Sequence, residues 1–180
     1  MITKGGAPRE IAVPVSVFAS LRAELEKEAG TLPTVHALHH AGYAAGVAAA
    51  ASFGSNGAGD PRALGQDAFW TKLSDFLAKR GWGTLKHERP HAAVGLLWSA
   101  DWAEAAEAAV DADTSCHFSA GFLSGILSEL AGGRVAVLEV GCRTRGGDAC
   151  RFAFGSEGAI HDLYGRLLDG GDLDGALSAL

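Results

Sequence analysis

At 180 residues, with 48% hydrophobic and 20% charged, the chain has the composition of one globular domain and enough length to bury a core. A formal charge of −6 without any Lys/Arg cluster leaves no face able to grip phosphates, which argues against nucleic acid or an anionic membrane surface as partner. The polar opening MITKGGAPREIAVP is unlike a signal peptide, and the most apolar stretch, Ala41 to Phe53, is too short to span a bilayer. A cytoplasmic setting is therefore expected. Three cysteines, an odd number in a reducing compartment, point to metal binding or inert buried thiols.

Residues 1–13 read as a leader, with a short strand at Ile11–Val13, and residues 14–180 as a single domain. Pro14 and Ser16 open a helix whose apolar positions Val17, Phe18, Leu21 and Leu25 recur at helical spacing up to Gly30. A second helix is expected from Thr34 to about Phe53, then a loop, GSNGAGDP, and a third helix from about Leu64 to Arg80. After Gly81 the pattern turns to short strands, Gly83–Glu88 and Ala92–Trp98, separated by a turn around Pro90. A charged, Ala-rich helix is expected over Ala100 to Val110, and an apolar one over Cys116 to Leu130, ended by Gly132-Gly133. Strands Arg134–Val140 and Ala149–Phe154 form a hairpin, and two short helices finish the chain. With no repeated strand–helix–strand unit, the order predicts an α+β fold, an antiparallel sheet packed against helices.

The most informative segment is CHFSAGFLSGILSELAGGRVAVLEVGCRTRGGDACRFAF. Cys116 follows Asp113, Thr114 and Ser115, good N-cap residues, so its thiol is expected in a first helical turn, where the macrodipole favours thiolate. Hairpin closure brings Cys142 and Cys150 together, and a helix packed across the hairpin lets Cys116 join them. Three thiolates leave one corner of a zinc tetrahedron open. Glu139, the sole acid in an apolar strand, is the natural fourth ligand, with His117 and Asp148 competing. Positions 139 and 142 of a regular strand face opposite ways, but Gly141 permits a bulge that would re-aim Cys142. The plainer alternative is three small buried core residues without a metal.

This segment resembles the 4-vinyl-reductase domain family. That family's pattern is a Cys at a helix start, an aromatic–small–Gly helix, E-x-x-C and a G-D-x-C-R-F hairpin. Here it reads Cys116, Phe118–Gly121, Glu139-Val140-Gly141-Cys142 and Gly147-Asp148-Ala149-Cys150-Arg151-Phe152. The family is similar to the sensor domains of phenol-responsive bacterial transcription activators and, more distantly, to subunits of vesicle-tethering complexes with the Bet3-like (NO-signalling-like) fold. The resemblance implies a structural zinc on Cys116, Glu139, Cys142 and Cys150. Four protein ligands leave no open position for water, which argues against a catalytic metal.

Trp98 and Trp102 are candidate ligand-pocket walls through the same resemblance, and Phe122, Ile126 and Val137 join them by position. Ordinary core packing competes at each. His36, His39 and His40 share a helix at i, i+3 and i, i+4 spacing, but without a nearby carboxylate they suit a half-exposed face better than a metal site. GSNGAGD lacks the lysine and preceding strand of a phosphate loop. No Ser/His/Asp or Cys/His triad stands out, so catalysis is not the favoured reading.

The expected role is a homodimeric, zinc-stabilised regulatory domain of bacterial type that senses a small apolar or aromatic ligand and signals to a partner protein. The resemblance also implies two alternatives: a tetrapyrrole-binding accessory protein of bacteriochlorophyll biosynthesis, or a non-enzymatic scaffold subunit.

Overall fold

The computed structural model describes residues 9–55, 60–106 and 116–180. Three helices come first: α1 (Ser16–Ala29), α2 (Thr31–Ser55) and α3 (Gln66–Ala78). Strands β1 (Lys86–Glu88) and β2 (Val94–Ser99) follow, then α4 (His117–Ala131), β3 (Ala136–Gly141), β4 (Cys150–Gly155), α5 (Glu157–Leu168) and α6 (Leu173–Ser178). The strands form one antiparallel sheet in the order β1-β2-β4-β3. The expected α+β class and the hairpin of β3 with β4 are thus borne out.

Strand alternation divides the core into two layers. Leu97, Phe152, Val137 and Cys150 pack with α4 on one face of the sheet, while Val94, Leu96 and Ala153 pack with Ile160 and Leu163 of α5 and with α6 on the other. Both faces are covered, which explains why β2 reads as an almost unbroken apolar run.

α4 is the central element. Every residue from Ser119 to Ser128 is buried, because α4 lies between the sheet and α2. The close approach to α2 depends on glycines. A Cβ on Gly46 would meet the Phe122 carbonyl, and one on Gly121 would meet the His39 carbonyl. On the sheet side, Ser124 and Ser128 donate to the Val135 carbonyl (2.6 and 3.3 Å), and the Val135 amide donates to Ser128 Oγ (2.9 Å). These bonds satisfy buried hydroxyls and fix the entry to β3.

Several expectations change. The helix expected over Ala100–Val110 is, within the described residues, a single 3₁₀ turn at Ala103–Ala105. Trp102 is fully buried and Glu104 turns inward, so this stretch is an anchored connection rather than an amphipathic helix. Ile11–Val13 forms no strand; Ile11 is 87% exposed and has no sheet edge to join. Cys116 is itself the N-cap of α4, not a residue of its first turn. Asp113, Thr114 and Ser115 lie outside the described residues, as do residues 1–8 and 56–59. No helix among the described residues is long and apolar enough to cross a membrane.

Candidate metal centre and ligand cavity

Three elements bring the cysteines together. Cys116 starts α4, Cys142 follows the end of β3, and Cys150 opens β4. Cys116 Sγ lies 4.0 Å from Cys142 Sγ and 3.7 Å from Cys150 Sγ. A disulfide needs about 2.05 Å, so these are not bridged pairs. A tetrahedral metal–thiolate site with bonds of about 2.3 Å has sulfur–sulfur edges of about 3.8 Å, which these separations match. With Glu139 the ligand atoms of all four residues lie within 4.8 Å of one another, the one such group among the described residues. The competing ligands His117 and Asp148 are outside it, and Asp148 is instead paired with Arg151 at 3.3 Å.

The strand solves its facing problem with a bulge. Glu139 pairs with Phe152 and Gly141 with Arg151, so Val140 is an extra residue on β3. One inserted residue flips the alternation, and Cys142 turns in beside Glu139 instead of away from it. A 3₁₀ turn, Arg143–Arg145, closes the loop; Gly146 (φ 81°) is left-handed, and the Arg145 and Gly147 amides donate to the Cys142 carbonyl at 3.2 Å. The Thr144 hydroxyl lies 2.9 Å from Cys142 Sγ.

The electrostatics fit a cation. Burial and the neighbouring Cys142 push the Glu139 carboxyl up to about 9. Hydrogen bonding with Cys142 and Cys150, and then burial, push the Cys116 thiol up, while Cys142, which receives these bonds, is held well below the ordinary thiol range. Four acidic groups in one buried spot must share protons unless a positive ion replaces them. Glu139 Oε2 accepts the Cys116 amide hydrogen at 3.0 Å, whereas the buried Oε1 has no hydrogen-bond partner. An orphaned carboxylate oxygen beside three thiols is what a fourth metal ligand looks like.

A second buried carboxylate supports α4 from its other side. Glu104 accepts from the Phe118 amide (3.1 Å), the Ser119 amide (2.7 Å) and the Ser119 hydroxyl. Burial pushes it up to about 7 against these bonds. Ser119 also accepts the Trp102 indole N–H at 2.7 Å. Sequence reasoning missed this cap, because Glu104 reads there as one more charge on an exposed helix.

The five pocket candidates are not brought together. Trp98 is on the sheet face opposite α4, half-buried, with its N–H on Glu88 Oε1 (2.7 Å) and Lys86 Nζ over its ring. Trp102, Phe122, Ile126 and Val137 are packed into the core on the α4 face, each no more than 9% exposed. Phe122 also stacks on Trp82, with centroids 4.7 Å apart. It borders an open groove of about 770 Å³ under the segment Arg9–Val13, with Phe18, Trp82 and Phe118. His36, His39 and His40 remain on α2, with His39 half-buried and the other two exposed.

A different cavity, of about 520 Å³, opens at the far end of α4 between α3, β2 and β4. Its walls include Phe69, Trp70, Leu127, Leu130, Val135 and Phe154, with His87 and Arg89 as its polar groups near the opening. His87 lies flat on Trp70, centroids 4.2 Å apart and planes 11° apart. Burial, followed by the nearby Arg89, lowers the His87 pKa, with Asp67 and Glu88 opposing. These residues come from separate segments, and no local spacing signals their meeting.

The comparisons agree with this geometry. Residues 98–156 match the family model of the 4-vinyl-reductase (vinyl-4-reductase) domain, which bears out the resemblance. The fold is similar to the phenol-responsive sensory domain of the transcription activator PoxR, solved with phenol. That likeness has a TM-score of 0.70 at 17% identity, over 89% of this chain and 83% of that one. A vinyl-4-reductase family protein from Methanocaldococcus jannaschii aligns with a TM-score of 0.53 at 18% identity, covering 81% and 82% of the two chains. Subunit 3 of a trafficking protein particle complex from Naegleria fowleri, covalently bound to palmitic acid, aligns with a TM-score of 0.62 at 13% identity, covering 78% and 91%. No curated protein matches the chain in sequence.

Proposed function

For a chain whose residues 98–156 match the 4-vinyl-reductase domain, we propose the role of a small-molecule-sensing regulatory domain, held together by a structural zinc ion. The observation that carries the sensing role is the open, aromatic-walled cavity of about 520 Å³, a size suited to a small ligand, on a fold shared with the phenol-responsive PoxR domain. Zinc is the metal that three thiolates and one carboxylate in a closed tetrahedron suit best. It ties the start of α4 to the β3–β4 loop.

In this reading the ligand sits between the C-terminal half of α4 and the sheet. Trp102, Phe122, Ile126 and Val137 form the packed layer between it and the zinc. A ligand that fits one arrangement of α4 against the sheet better than another shifts the balance between them. The domain works as a cytoplasmic homodimer, and its output is a partner protein.

Native mass spectrometry with metal analysis of the same sample, followed by a thermal-shift screen of small aromatic and aliphatic compounds, tests both parts. One zinc per chain, and melting points raised by a subset of compounds, are expected. A well-folded, metal-free protein with every thiol titratable would overturn the zinc assignment. A screen in which no compound binds would overturn the sensing role.

A further inference from the structure

We propose that the 520 Å³ cavity selects an aromatic acid, its ring against Trp70 and Phe154 and its carboxylate facing Arg89. This rests on the sensing reading and specifies the ligand class.

The shape of the walls favours a flat molecule. Trp70 and His87 stack into one planar slab, and Phe154 leans on both, with centroids 5.3 and 5.9 Å away. Phe69 braces the back of Trp70 edge-on at 4.9 Å. Gly95 leaves the β2 backbone bare beneath Phe154; a Cβ there would run into that ring. Flat walls exchange contact with a ring at little entropic cost, since aromatic side chains have few torsions to freeze.

The charge of the lining favours an anion. Acids outnumber Lys and Arg by 21 to 15 in the chain, yet no Asp or Glu lines this cavity, and Arg89 is its one permanently charged residue. Arg89 forms no ion pair among the described residues; its Nη2 donates to the Ala92 carbonyl at 3.3 Å, which ties it to another lining residue. The two acids that influence His87 are directed elsewhere. Asp67 lines a groove that also borders Trp70 and His87 but not this cavity, and Glu88 accepts the Trp98 N–H on the opposite sheet face. His87, held mostly neutral, has one ring N–H to offer a carboxylate without the cost of burying a second charge. A neutral phenol or amide would bond to His87 equally well but leave Arg89 unused. A carboxylate uses both through charge-assisted bonds.

Isothermal titration of the metal-loaded full chain with benzoate and 1-naphthoate, against the neutral isosteres benzamide and 1-naphthamide, tests this. The acids are expected to bind about ten-fold tighter, as for one charge-assisted hydrogen bond at a partly exposed site. Arg89→Gln should erase that preference and leave the amides within about two-fold of wild type. Arg89 is exposed, so this variant is expected to fold, and its circular dichroism and melting point check that it does. Amides binding as tightly as acids, or acids binding Arg89→Gln undiminished, would overturn the anion preference while leaving the sensing role intact. If neither kind binds the well-folded protein, the proposal fails; the sensing role fails with it only if the wider compound screen is also empty.

Discussion

Glu139 reaches from β3 to the backbone of Cys116, accepting its amide hydrogen at 3.0 Å with one oxygen while the other remains buried and unbonded. The same carboxylate thus fixes the first residue ahead of α4 and presents a ligand atom to three sulfurs. The bulge at Val140 makes this possible, since a regular strand would have turned Cys142 to the opposite face.

Removing a thiol should therefore cost both metal and fold. Cys150→Ala is expected to lose the zinc and to destabilise the domain by several kcal/mol, because metal binding here is coupled to folding. Glu139→Gln should keep the fold but surrender zinc at a lower chelator concentration than wild type. Equal zinc content and equal melting points across wild type and both variants would refute a structural metal.

The α2–α4 contact predicts opposite signs for the same substitution. Gly46→Ala drives a methyl group into the Phe122 carbonyl and should cost about 3 kcal/mol or more, since backbone cannot move aside as a side chain can. Gly165→Ala, on α5 with nothing within 4 Å, should gain up to about 1 kcal/mol from helix propensity. Urea denaturation of the two variants checks the contrast; a neutral Gly46→Ala would show that the helices are not in backbone contact.

Glu104 predicts a pH dependence. Its carboxyl is raised from an ordinary 4.5 to about 7, so the folded state holds a proton that the unfolded chain releases earlier. This contribution to stability is fully present below about 4.5 and is lost as pH rises through about 7, by an amount on the order of 1–3 kcal/mol. Glu104→Gln cannot titrate and should flatten that part of the stability–pH curve. Parallel curves for wild type and Glu104→Gln between about pH 5 and about pH 8 would sink the assignment.

The two tryptophans should behave differently. Trp102 is fully buried with its N–H on Ser119, so Trp102→Phe is expected to cost about 2–4 kcal/mol through the void and the lost bond. Trp98→Phe, on the half-buried outer face, should cost less than about 1 kcal/mol. Chemical denaturation distinguishes them, and similar losses would mean that Trp98 packs as core.

The elements were legible in the sequence wherever the cause was local. Helical spacing, Gly132 as a left-handed cap and the strand pattern of the hairpin mark α4, β3 and β4. The metal group was legible too, because hairpin closure and one glycine bear directly on where Cys142 points. Periodicity misread the stretch after Asp101, where an alanine-rich run looks helical but Trp102 and Glu104 are drawn inward by partners on α4. It also could not tell that Trp98 faces away from α4, since β2 is apolar on both sides and alternation carries no sign there. The ligand cavity was decided by tertiary structure alone. Trp70, His87, Gly95, Leu127 and Phe154 lie on separate elements, and only the packing of α3 and α4 against the sheet brings them to one opening, because an enclosed space belongs to no single stretch of chain.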